Sequence, residues 1–595
     1  MNKCLNIIDF GYEKYAKNTD CYFWYRKKDE NSILQFIDKN VEILRNEYIK
    51  IIWEISQSNI SDQKIYDYLQ FREKYNLWTM SLIAEKCPIK STEISEVIKL
   101  IALKKILKEE DYSKIILYSS NSQLINAISI LSNNKKIKLE IINQNIRKIK
   151  IQRFKDALKL MVPFYFRANY FIFKRFISNL NLRKHNQQKK SIEKSILIVS
   201  YFLHIDIEKV EKKQFYSHQW KMIPDLLTEQ GYNINWAHHY LNESPKITYK
   251  NTSSIVNGKH FFIEGYINFR LILMTILNFN YFYFRNLKAL RISKIFKQKP
   301  GINFLLNYFR ESWYSSFFGS HLANNILYTY LFEKIANEFN KSEFVLFLQE
   351  NQGWEKALIA SWQTESKNKI VGVAPTIIKD WDLRYFEDIN VYKNLKAFDK
   401  ISPNLILVNG QLSYDNLINN NYPPRKVRGV EAYRYFDSVI KKNEVNKLSS
   451  KNNKVKKILL IGEYDEDSTM SMINAVKNIK NVAHFYFRPH PGKRISKTYL
   501  NKINVISVSK KISDIFREKF DFVISAGSTS AALDAYLNNI PVIIYIKNSL
   551  LNLSPLYGKK NVIFVGSEDE LRIAILNEYK KDKNKICSST DDIFW

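Results

Sequence analysis

Short apolar segments alternate with amphipathic stretches of helical length along most of this chain. In the last third they fall at 456–461, 522–526 and 541–546, and the stretch 531–537 between two of them has helical periodicity. The middle third repeats the pattern, with apolar segments at 196–201, 233–238, 344–348, 370–374 and 405–409. Alternation of buried strands with helices is typical of a parallel, doubly wound sheet. The pattern therefore predicts two such sheets, the first of them ending at 405–409.

The first part of the chain predicts a further α/β unit. Helical periodicity at 32–54 and 94–108 is followed by apolar strands at 114–118 and 137–142. Between those two strands, Ser119–Ser122 has the composition of a helix N-cap. We expect a domain at 1–145, a basic aromatic linker at 146–194, a doubly wound domain at 195–437 with an aromatic insert at 259–310, a linker at 438–453, a second doubly wound domain at 454–580 and a tail at 581–595.

Two stretches, 154–182 and 261–309, combine many aromatic residues with lysine and arginine and have few acidic residues. This composition is typical of a helix that lies in a membrane interface. A linker helix packed between domains is the structural alternative. Nucleic-acid binding is a further alternative function for these stretches, although the sequence contains no helix-turn-helix, zinc-finger or RNP-like motif.

Composition narrows the class of protein. The chain of 595 residues has a formal net charge of +32 and is 45% hydrophobic, so it forms several cores and favours an anionic partner. A lysine-rich genomic composition explains part of the charge equally well. Four scattered cysteines give neither a disulfide framework nor a zinc site, which favours a reducing compartment. With no signal core or membrane span, we expect a cytoplasmic protein at the inner face of the membrane.

Polar residues cluster where the strands of the last domain end. Ligands of doubly wound sheets bind at the carboxyl ends of the strands, and a glycine turn that opens a helix suits a phosphate. Arginine and histidine add a cation and a further donor. The predicted nucleotide-phosphate pocket consists of Gly462, Glu463, Arg488, His490, Pro491, Ser525, Gly527, Ser528, Thr529 and Ser530.

In the middle domain, the strand 344–348 delivers Glu350 and Glu355 to its carboxyl end. A carboxylate at this position is well placed to act as a general base. Capping of the following helix is the alternative for both residues. We favour chemistry for Glu350 and capping for Glu355, and both stay candidates for the catalytic base.

Several aromatic and histidine side chains lie near other strand ends of the middle domain. Each alone is typical of a structural residue, but together they predict one wall of an acceptor cleft. The predicted wall consists of Ser217, His218, Trp220, His238 and Trp354.

These motifs resemble those of GT-B glycosyltransferases, which have two facing Rossmann-type domains. The run from Arg488 to Gly492 is similar to the His-Pro motif of bacterial sialyltransferases and Kdo transferases, and Ser528–Ser530 resembles their Ser-Ser/Thr motif. Those families hold the phosphate of a CMP-sugar with both motifs. Where they carry an acidic pair before a glycine, this chain has only Glu350, followed by Asn351 and Gln352. Most of 195–547 also resembles surface-carbohydrate proteins of O-antigen gene clusters.

The resemblance implies an α/β, GT-B-like fold with an additional N-terminal α/β domain. It implies transfer of a nonulosonic-acid or Kdo-type sugar from a CMP-sugar, which is a substrate, to a glycan or lipid-linked acceptor, with His490 as a catalytic residue and no metal or other cofactor. A UDP- or GDP-sugar transferase and a CDP-glycerol-type glycerophosphotransferase are the enzymatic alternatives. A non-catalytic protein that binds membranes or nucleic acid is the alternative of another class.

Overall fold

The computed structural model contains three parallel sheets, which fall within residues 3–142, 195–430 and 456–565. The predicted linker 438–453 and tail 581–595, Pro491, Ser528 and the first part of the linker 146–194 lie outside the described residues. The structure describes all of the chain except residues 1–2, 16–19, 28–29, 89, 144–163, 188–193, 204, 242–243, 245–251, 253, 290–291, 300, 433–455, 464, 478, 480–482, 491–494, 509–514, 517, 519, 528, 548–549 and 581–595.

The first domain is a four-stranded parallel sheet flanked by helices. Its strands, numbered along the chain, have the order 2-1-3-4 and are Lys3–Ile8, Cys21–Phe23, Tyr112–Tyr118 and Lys138–Ile142. The predicted cap is present, because the Asn121 side chain accepts hydrogen bonds from two backbone amides of the helix that follows. The helices are Ile33–Lys39, Val41–Ser56, Ile65–Tyr68, Leu82–Glu85, Glu93–Glu109 and Ser122–Lys135.

The middle domain is a seven-stranded parallel sheet of order 3-2-1-4-5-6-7. Its first strand is buried over almost its full length, as expected for a strand covered by helices on both faces. The strands are Ser195–Tyr201, Asn233–His239, Lys259–Phe262, Phe344–Leu348, Lys369–Val373, Leu405–Asn409 and Val427–Val430. The helices are Ile207–Glu211, Ile223–Glu229, Phe269–Arg285, Ile292–Lys297, Leu306–Phe318, Ser320–Glu338, Gly353–Glu365, Ile389–Lys393, Leu395–Ile401 and Gln411–Asn419.

The last domain is a six-stranded parallel sheet of order 3-2-1-4-5-6. Its strands are Lys456–Ile461, Ala483–Arg488, Val505–Ser507, Phe522–Ala526, Val542–Tyr545 and Val562–Val565. Its helices are Glu466–Val476, Lys497–Lys502, Ala531–Leu537 and Glu568–Lys580. Because both larger sheets are parallel and have helices on both faces, the structure confirms the predicted α/β, GT-B-like class.

The prediction that Leu405–Asn409 ends the middle sheet is wrong. Val427–Val430 pairs with it as a seventh, edge strand, with Val430 opposite Asn409. This strand contains Gly429 and is largely exposed, so it lacks the continuous apolar pattern of a buried strand. Lys259–Phe262, placed in the predicted insert, likewise belongs to the sheet and pairs with Asn233–His239.

The domains pack closely. One apolar cluster includes Leu100 of the first domain and Phe332 of the middle domain, and Arg45 pairs with Asp380 across the same boundary. Ile377 and Leu412, which follow two strands of the middle sheet, belong to a cluster with Ile461 of the last domain. The carboxyl-end loops of the middle sheet therefore face the last domain. Among the described residues, no helix has the length and apolar character needed to cross a bilayer.

Candidate active site

The polar loops of the last domain meet at one edge of its sheet. Ile461 of the first strand lies opposite Arg488 of the second and opposite Ser525 of the fourth. Gly462 and His490 therefore emerge on the same side as the turn that begins at Gly527. Because the second and fourth strands are separated by the first, their backbones are about 10 Å apart at two strand spacings. A ligand held by both loops would lie over Gly462 and Glu463.

The loop after the first strand is built for close approach. A Cβ atom on Gly462 would lie 3.0 Å from Thr469 and 3.2 Å from the ring of Phe487, so the position has no room for a side chain. The Glu463 amide donates to Thr469 Oγ1 at 3.0 Å, and Asp465 caps the next helix by accepting from the Ser468 amide at 2.9 Å. These bonds hold Glu463, which is 6% exposed, at the strand end.

A cavity of about 540 Å³ opens at this edge. It lies between the loops that follow the first and fourth strands, where the strand order reverses. In doubly wound sheets this reversal is the usual position of a bound ligand. The last domain contributes Glu463, Asp465, Glu466, Asp467, Ser468, Gly527, Ile546, Lys547, Leu550, Leu551 and Leu553.

The first domain closes the cavity with Pro88, Thr92 and Ser95. Thr92 and Ser95 stand at the beginning of the helix Glu93–Glu109, and the Thr92 side chain makes no capping hydrogen bond there. No pattern in the sequence predicted this wall, because it joins residues that are more than 350 positions apart. The N-terminal domain is thus part of the site.

The charges of the cavity are uneven. Four carboxylates and the single lysine Lys547 are among its lining residues. Carboxylates accept hydrogen bonds from hydroxyl groups, whereas a phosphate needs cations and amide donors. We therefore expect the hydroxyl groups of a ligand near Glu463 and its phosphate toward the neighbouring strand end, where Arg488 and His490 lie.

Arg488 and His490 are half-buried. Burial lowers the pKa of the Arg488 guanidinium, and the Asp534 carboxylate opposes this effect. Asp534 belongs to the helix Ala531–Leu537 that follows the fourth strand. The charge of this helix thus acts on the strand end that carries the predicted His-Pro motif.

The turn after the fourth strand uses part of its polar groups for its own structure. Thr529 Oγ1 accepts from the Ala531 amide at 3.3 Å, which caps the helix. Ser525 is fully buried, and its hydroxyl donates to the carbonyl of Ala526 at 3.1 Å. Ser525 was predicted to bind the nucleotide, but it lies inside the sheet, whereas Gly527 lines the cavity. Ser530 begins the helix and is half-buried.

In the middle domain, Glu355 stabilises the turn between strand and helix. It is 1% exposed, and its carboxylate accepts hydrogen bonds from the amides of Glu350, at 3.0 and 3.1 Å, and of Asn351, at 2.8 Å. Asn351 has a φ of 57°, a left-handed conformation that asparagine tolerates well. Burial and the nearby charge of Glu350 raise the pKa of Glu355 to about 8. These bonds are those expected for helix capping.

Glu350 is the more accessible carboxylate of the pair. It is half-buried, and its Oε2 accepts from the Gln352 side chain at 2.5 Å. Its charge contributes to raising the pKa of Tyr201, after the larger effect of burial, and supports the charge of Arg384. A half-buried carboxylate at a strand end whose sheet edge faces the other domain is suited to take a proton from a bound hydroxyl group.

A buried network supports this strand end. Trp354 Nε1 donates to Tyr201 Oη at 3.0 Å, and its ring packs 4.3 Å from that of His239. His239 Nδ1 lies 3.2 Å from Glu264, which also accepts from Tyr328 Oη at 3.1 Å. Sequence reasoning missed Tyr201, Glu264 and Arg384. Tyr201 ends an apolar strand, which was an available signal, whereas Glu264 and Arg384 lie in segments with no motif.

Most of the predicted acceptor wall is buried. Trp220 is fully buried and donates to Ser200 Oγ at 2.9 Å, and the fully buried His238 packs beside the near-parallel rings of Trp236 and His260. Ser217 is 4% exposed. These three side chains pack the middle domain and do not line an open cleft, because aromatic residues beside a strand end filled the core. His218 is half-buried beside Tyr216, and Trp354 is 8% exposed.

Within the described part of the chain, no group of three or more histidine, cysteine, aspartate or glutamate side chains is arranged to hold a metal ion.

Of three comparisons with known proteins, only the one with solved structures gives matches. No protein-family model matches the chain, and no curated protein matches it significantly. Among solved structures, similarity extends to a putative UDP-N-acetylglucosamine 2-epimerase from Listeria monocytogenes, with 8% identity, 69% of this chain and 93% of that chain covered and a TM-score of 0.38. A glycosyltransferase from Rickettsia africae is 12% identical, with 67% of this chain and 91% of that chain covered and a TM-score of 0.34. Anabaena HepE in complex with UDP and glucose is 9% identical, with 65% of this chain and 90% of that chain covered and a TM-score of 0.34. With such low TM-scores, the fold assignment depends on the sheet topology.

Proposed function

We propose that this protein is a glycosyltransferase that binds a nucleotide-sugar donor in the cavity of the last domain and activates the acceptor at Glu350. The observation that carries the proposal is the cavity at the strand-order reversal, with a volume of about 540 Å³ and a wall of carboxylates, a lysine and a glycine turn. Cavities of this size accommodate a small ligand, and this polarity suits hydroxyl and phosphate groups together.

The donor we propose is a CMP-activated nonulosonic-acid or Kdo-type sugar, and the product is a bacterial surface polysaccharide such as an O-antigen. Support comes from the His-Pro motif at His490 and the Ser-Thr-Ser turn, which end neighbouring parts of the same sheet edge. A CMP-sugar has one phosphodiester and no pyrophosphate, so the negative charge that must be neutralised is small. We propose that Arg488, His490 and the Gly527 amide neutralise it without a metal ion.

The proposed reaction is a displacement at the anomeric carbon. Glu350 accepts the proton of the acceptor hydroxyl group as its oxygen bonds to the anomeric carbon, and the bond from that carbon to the phosphate oxygen breaks. The negative charge that develops on the leaving CMP is stabilised by His490 and Arg488. Glu355 keeps the Glu350 amide in place and is a positioning residue.

We further propose that the acceptor is a glycan or lipid-linked oligosaccharide presented at the inner face of the cytoplasmic membrane. Loops that follow two strands of the middle sheet pack against the last domain, and we propose that this contact brings the acceptor base toward the bound donor.

A nucleotide panel tests the donor. CMP should raise the melting temperature of the protein, whereas UDP, GDP and CDP-glycerol should raise it much less. Stronger stabilisation by UDP or GDP would favour a transferase that uses those sugars, and stronger stabilisation by CDP-glycerol would favour glycerophosphate transfer. No stabilisation by any nucleotide, together with no turnover of an activated sugar, would reject the proposal.

The variant His490→Ala tests the phosphate role. It should lower CMP release by about a hundredfold, since one donor to a developing negative charge contributes roughly 3 kcal/mol. His484→Ala is the matched control, because His484 is exposed on the strand Ala483–Arg488, which precedes His490. Near-normal turnover of His490→Ala would contradict the assignment.

A further inference from the structure

Two helices expose an apolar surface that is unusual for a folded protein. Nine large side chains of Phe164–Ser178 and Phe269–Arg285 are between 45% and 70% exposed. Contiguous exposed apolar patches of this kind mark interaction sites. We call this surface the two-helix face, and it consists of Phe166, Tyr170, Phe173 and Ile177 from the first helix and Phe269, Leu273, Leu277, Tyr281 and Phe284 from the second.

The exposed residues follow the helical repeat. In the first helix they recur at i, i+4, i+7 and i+11, and in the second at i, i+4, i+8, i+12 and i+15. Residues at these spacings lie on one side of a helix. The opposite side is used for folding, since Ala168 and Ile172 in the first helix and Phe279 and Phe282 in the second are buried. Each helix thus has a second apolar side that the fold does not use.

The two helices are antiparallel neighbours. Tyr165, at the start of the first, packs its ring 4.8 Å from that of Tyr283, near the end of the second, and donates to Asn280 at 2.7 Å. Asn186, after the end of the first helix, exchanges two hydrogen bonds of 2.8 Å with the backbone of Phe262, which precedes the second helix. Viewed from the N-terminus of each helix, the exposed side is rotated by about a third of a turn from the side that contacts the other helix, and the rotation has the same sense in both helices. For antiparallel helices this places both exposed sides on one continuous face.

The two segments that form the face carry positive charge only. Neither 164–183 nor 269–297 contains an aspartate or glutamate. Arg167 and Lys174 lie beside the apolar side of the first helix, and Arg270 lies within that of the second, all exposed. Further exposed cations on the same segments are Arg183, Lys288, Lys294 and Lys297.

We propose that the two-helix face docks on an anionic lipid bilayer, with its aromatic and aliphatic side chains inserted at the level of the headgroups. Phenylalanine, tyrosine and leucine beside lysine and arginine form the side-chain set of helices that lie in a membrane interface. Each cation near an anionic surface adds attraction.

Charge argues against the other occupants. In a symmetric dimer the same cations of two copies would face one another, and no acidic residue of these segments would compensate them. A nucleic acid would have to bury leucine and isoleucine side chains that offer no hydrogen bonds to it. The bilayer is the partner that satisfies the apolar side chains and the cations together.

The docking proposal depends on the proposed function in one respect only, namely that the membrane presents a lipid-linked acceptor. It is measured without any sugar, with the full-length protein and vesicles of phosphatidylcholine, alone or mixed with phosphatidylglycerol. The protein should sediment with mixed vesicles, bind neutral vesicles far less and dissociate as salt is raised.

Two sets of variants test the face. Phe173→Gln with Leu277→Gln should lower the partition coefficient on mixed vesicles at least about tenfold, because two exposed apolar side chains are lost. Arg167→Gln, Lys174→Gln and Arg270→Gln together should lower it about tenfold or more on mixed vesicles and little on neutral ones.

The matched controls are Ile506→Gln with Ile573→Gln, which are about as exposed in the last domain, and Lys341→Gln, Lys367→Gln and Lys369→Gln. Both should bind like the unaltered protein. Equal binding by the face variants and their controls would overturn the proposal, as would a dimer in light scattering that the Phe173 and Leu277 variant dissociates. All variants should retain nucleotide-induced stabilisation, so that failure of docking and failure of the proposed function give different results.

Discussion

The middle and last domains have the same strand order through six strands, but the carboxyl edges of their sheets differ. At the middle edge, polar side chains are buried and form hydrogen bonds within the protein. Glu355 accepts from two backbone amides, and Glu264 bonds to the side chains of His239 and Tyr328. At the last edge, Glu463, Gly527 and Lys547 line a cavity, with His490 half-buried at the neighbouring strand end. One topology thus forms an edge of buried, internally bonded side chains in one domain and an edge with an open cavity in the other.

This difference has an energetic basis. A buried polar group without a partner costs about 1–3 kcal/mol, so a compact edge is stable only if its groups satisfy each other. At an edge that binds a ligand, polar groups form hydrogen bonds to the ligand when it is bound and to water when it is absent. Mutations at the middle edge should therefore change folding stability, whereas mutations at the last edge should change binding.

Glu350 is the exception at the middle edge, and its replacement should have the largest effect. Glu350→Gln removes the proposed base, so transfer should slow about a thousandfold, within the range of general-base catalysis, while CMP binding by calorimetry stays unchanged. Glu343→Gln, exposed just before the strand Phe344–Leu348 at the end opposite Glu350, is the control. Normal transfer by Glu350→Gln would shift the assignment to Glu355.

The raised pKa of Glu355 predicts a pH-dependent stability. Its pKa is about 8 in the folded protein and about 4.5 in the unfolded chain, so the folded state binds the proton more strongly. This contribution is complete below pH 4.5 and is lost as pH rises toward 8, by at most about 1.4 kcal/mol per pH unit.

Urea unfolding across this pH window checks the prediction. Glu355→Gln cannot titrate, so its stability should vary less with pH than that of the unaltered protein, although the variant loses about 1 kcal/mol or more through a weakened set of hydrogen bonds. An unchanged pH slope in the variant would show that other groups cause the dependence.

Replacing one glycine near each of the two sheet edges compares the edges directly. A Cβ atom on Gly372, in the fifth strand of the middle sheet, would overlap the amide of Gln349, which is 1% exposed. Gly372→Ala should therefore destabilise folding by about 2–3 kcal/mol, as measured by urea unfolding. Stability close to that of the unaltered protein would show that Gln349 has room to move.

Gly527→Ala is the counterpart at the last edge and should have the smallest effect. Its Cβ would meet only ordinary contacts, at 3.7 and 3.8 Å, so folding stability should change by less than about 0.5 kcal/mol. Because Gly527 lines the cavity, the affinity for CMP should fall severalfold by calorimetry. A large loss of stability without loss of affinity would reverse the comparison.

Sequence alone predicted the parts of this fold that depend on local patterns. The strands Phe344–Leu348, Leu405–Asn409 and Lys456–Ile461 have the predicted bounds, because each contains an apolar run of four or five residues that is largely buried. The edge strand Val427–Val430 was missed because an exposed strand needs no such run. Strand ends also predicted the position of the candidate site, since the carboxyl ends of parallel strands must meet.

The remaining features depend on tertiary packing. Nothing local distinguishes Trp220 and His238, which fill the core, from side chains that line a cleft. The cavity wall at Thr92 joins distant domains, and the exposure of Phe173 depends on which side of its helix faces the core. These properties depend on where the elements pack and not on their own sequences.

A crystal structure of the protein with CMP would locate the donor phosphate. We expect CMP in the cavity between Glu463 and Gly527, with its phosphate within hydrogen-bond distance of the His490 imidazole. A nucleotide bound elsewhere, or a phosphate in that cavity that His490 and the Gly527 turn do not contact, would contradict this expectation.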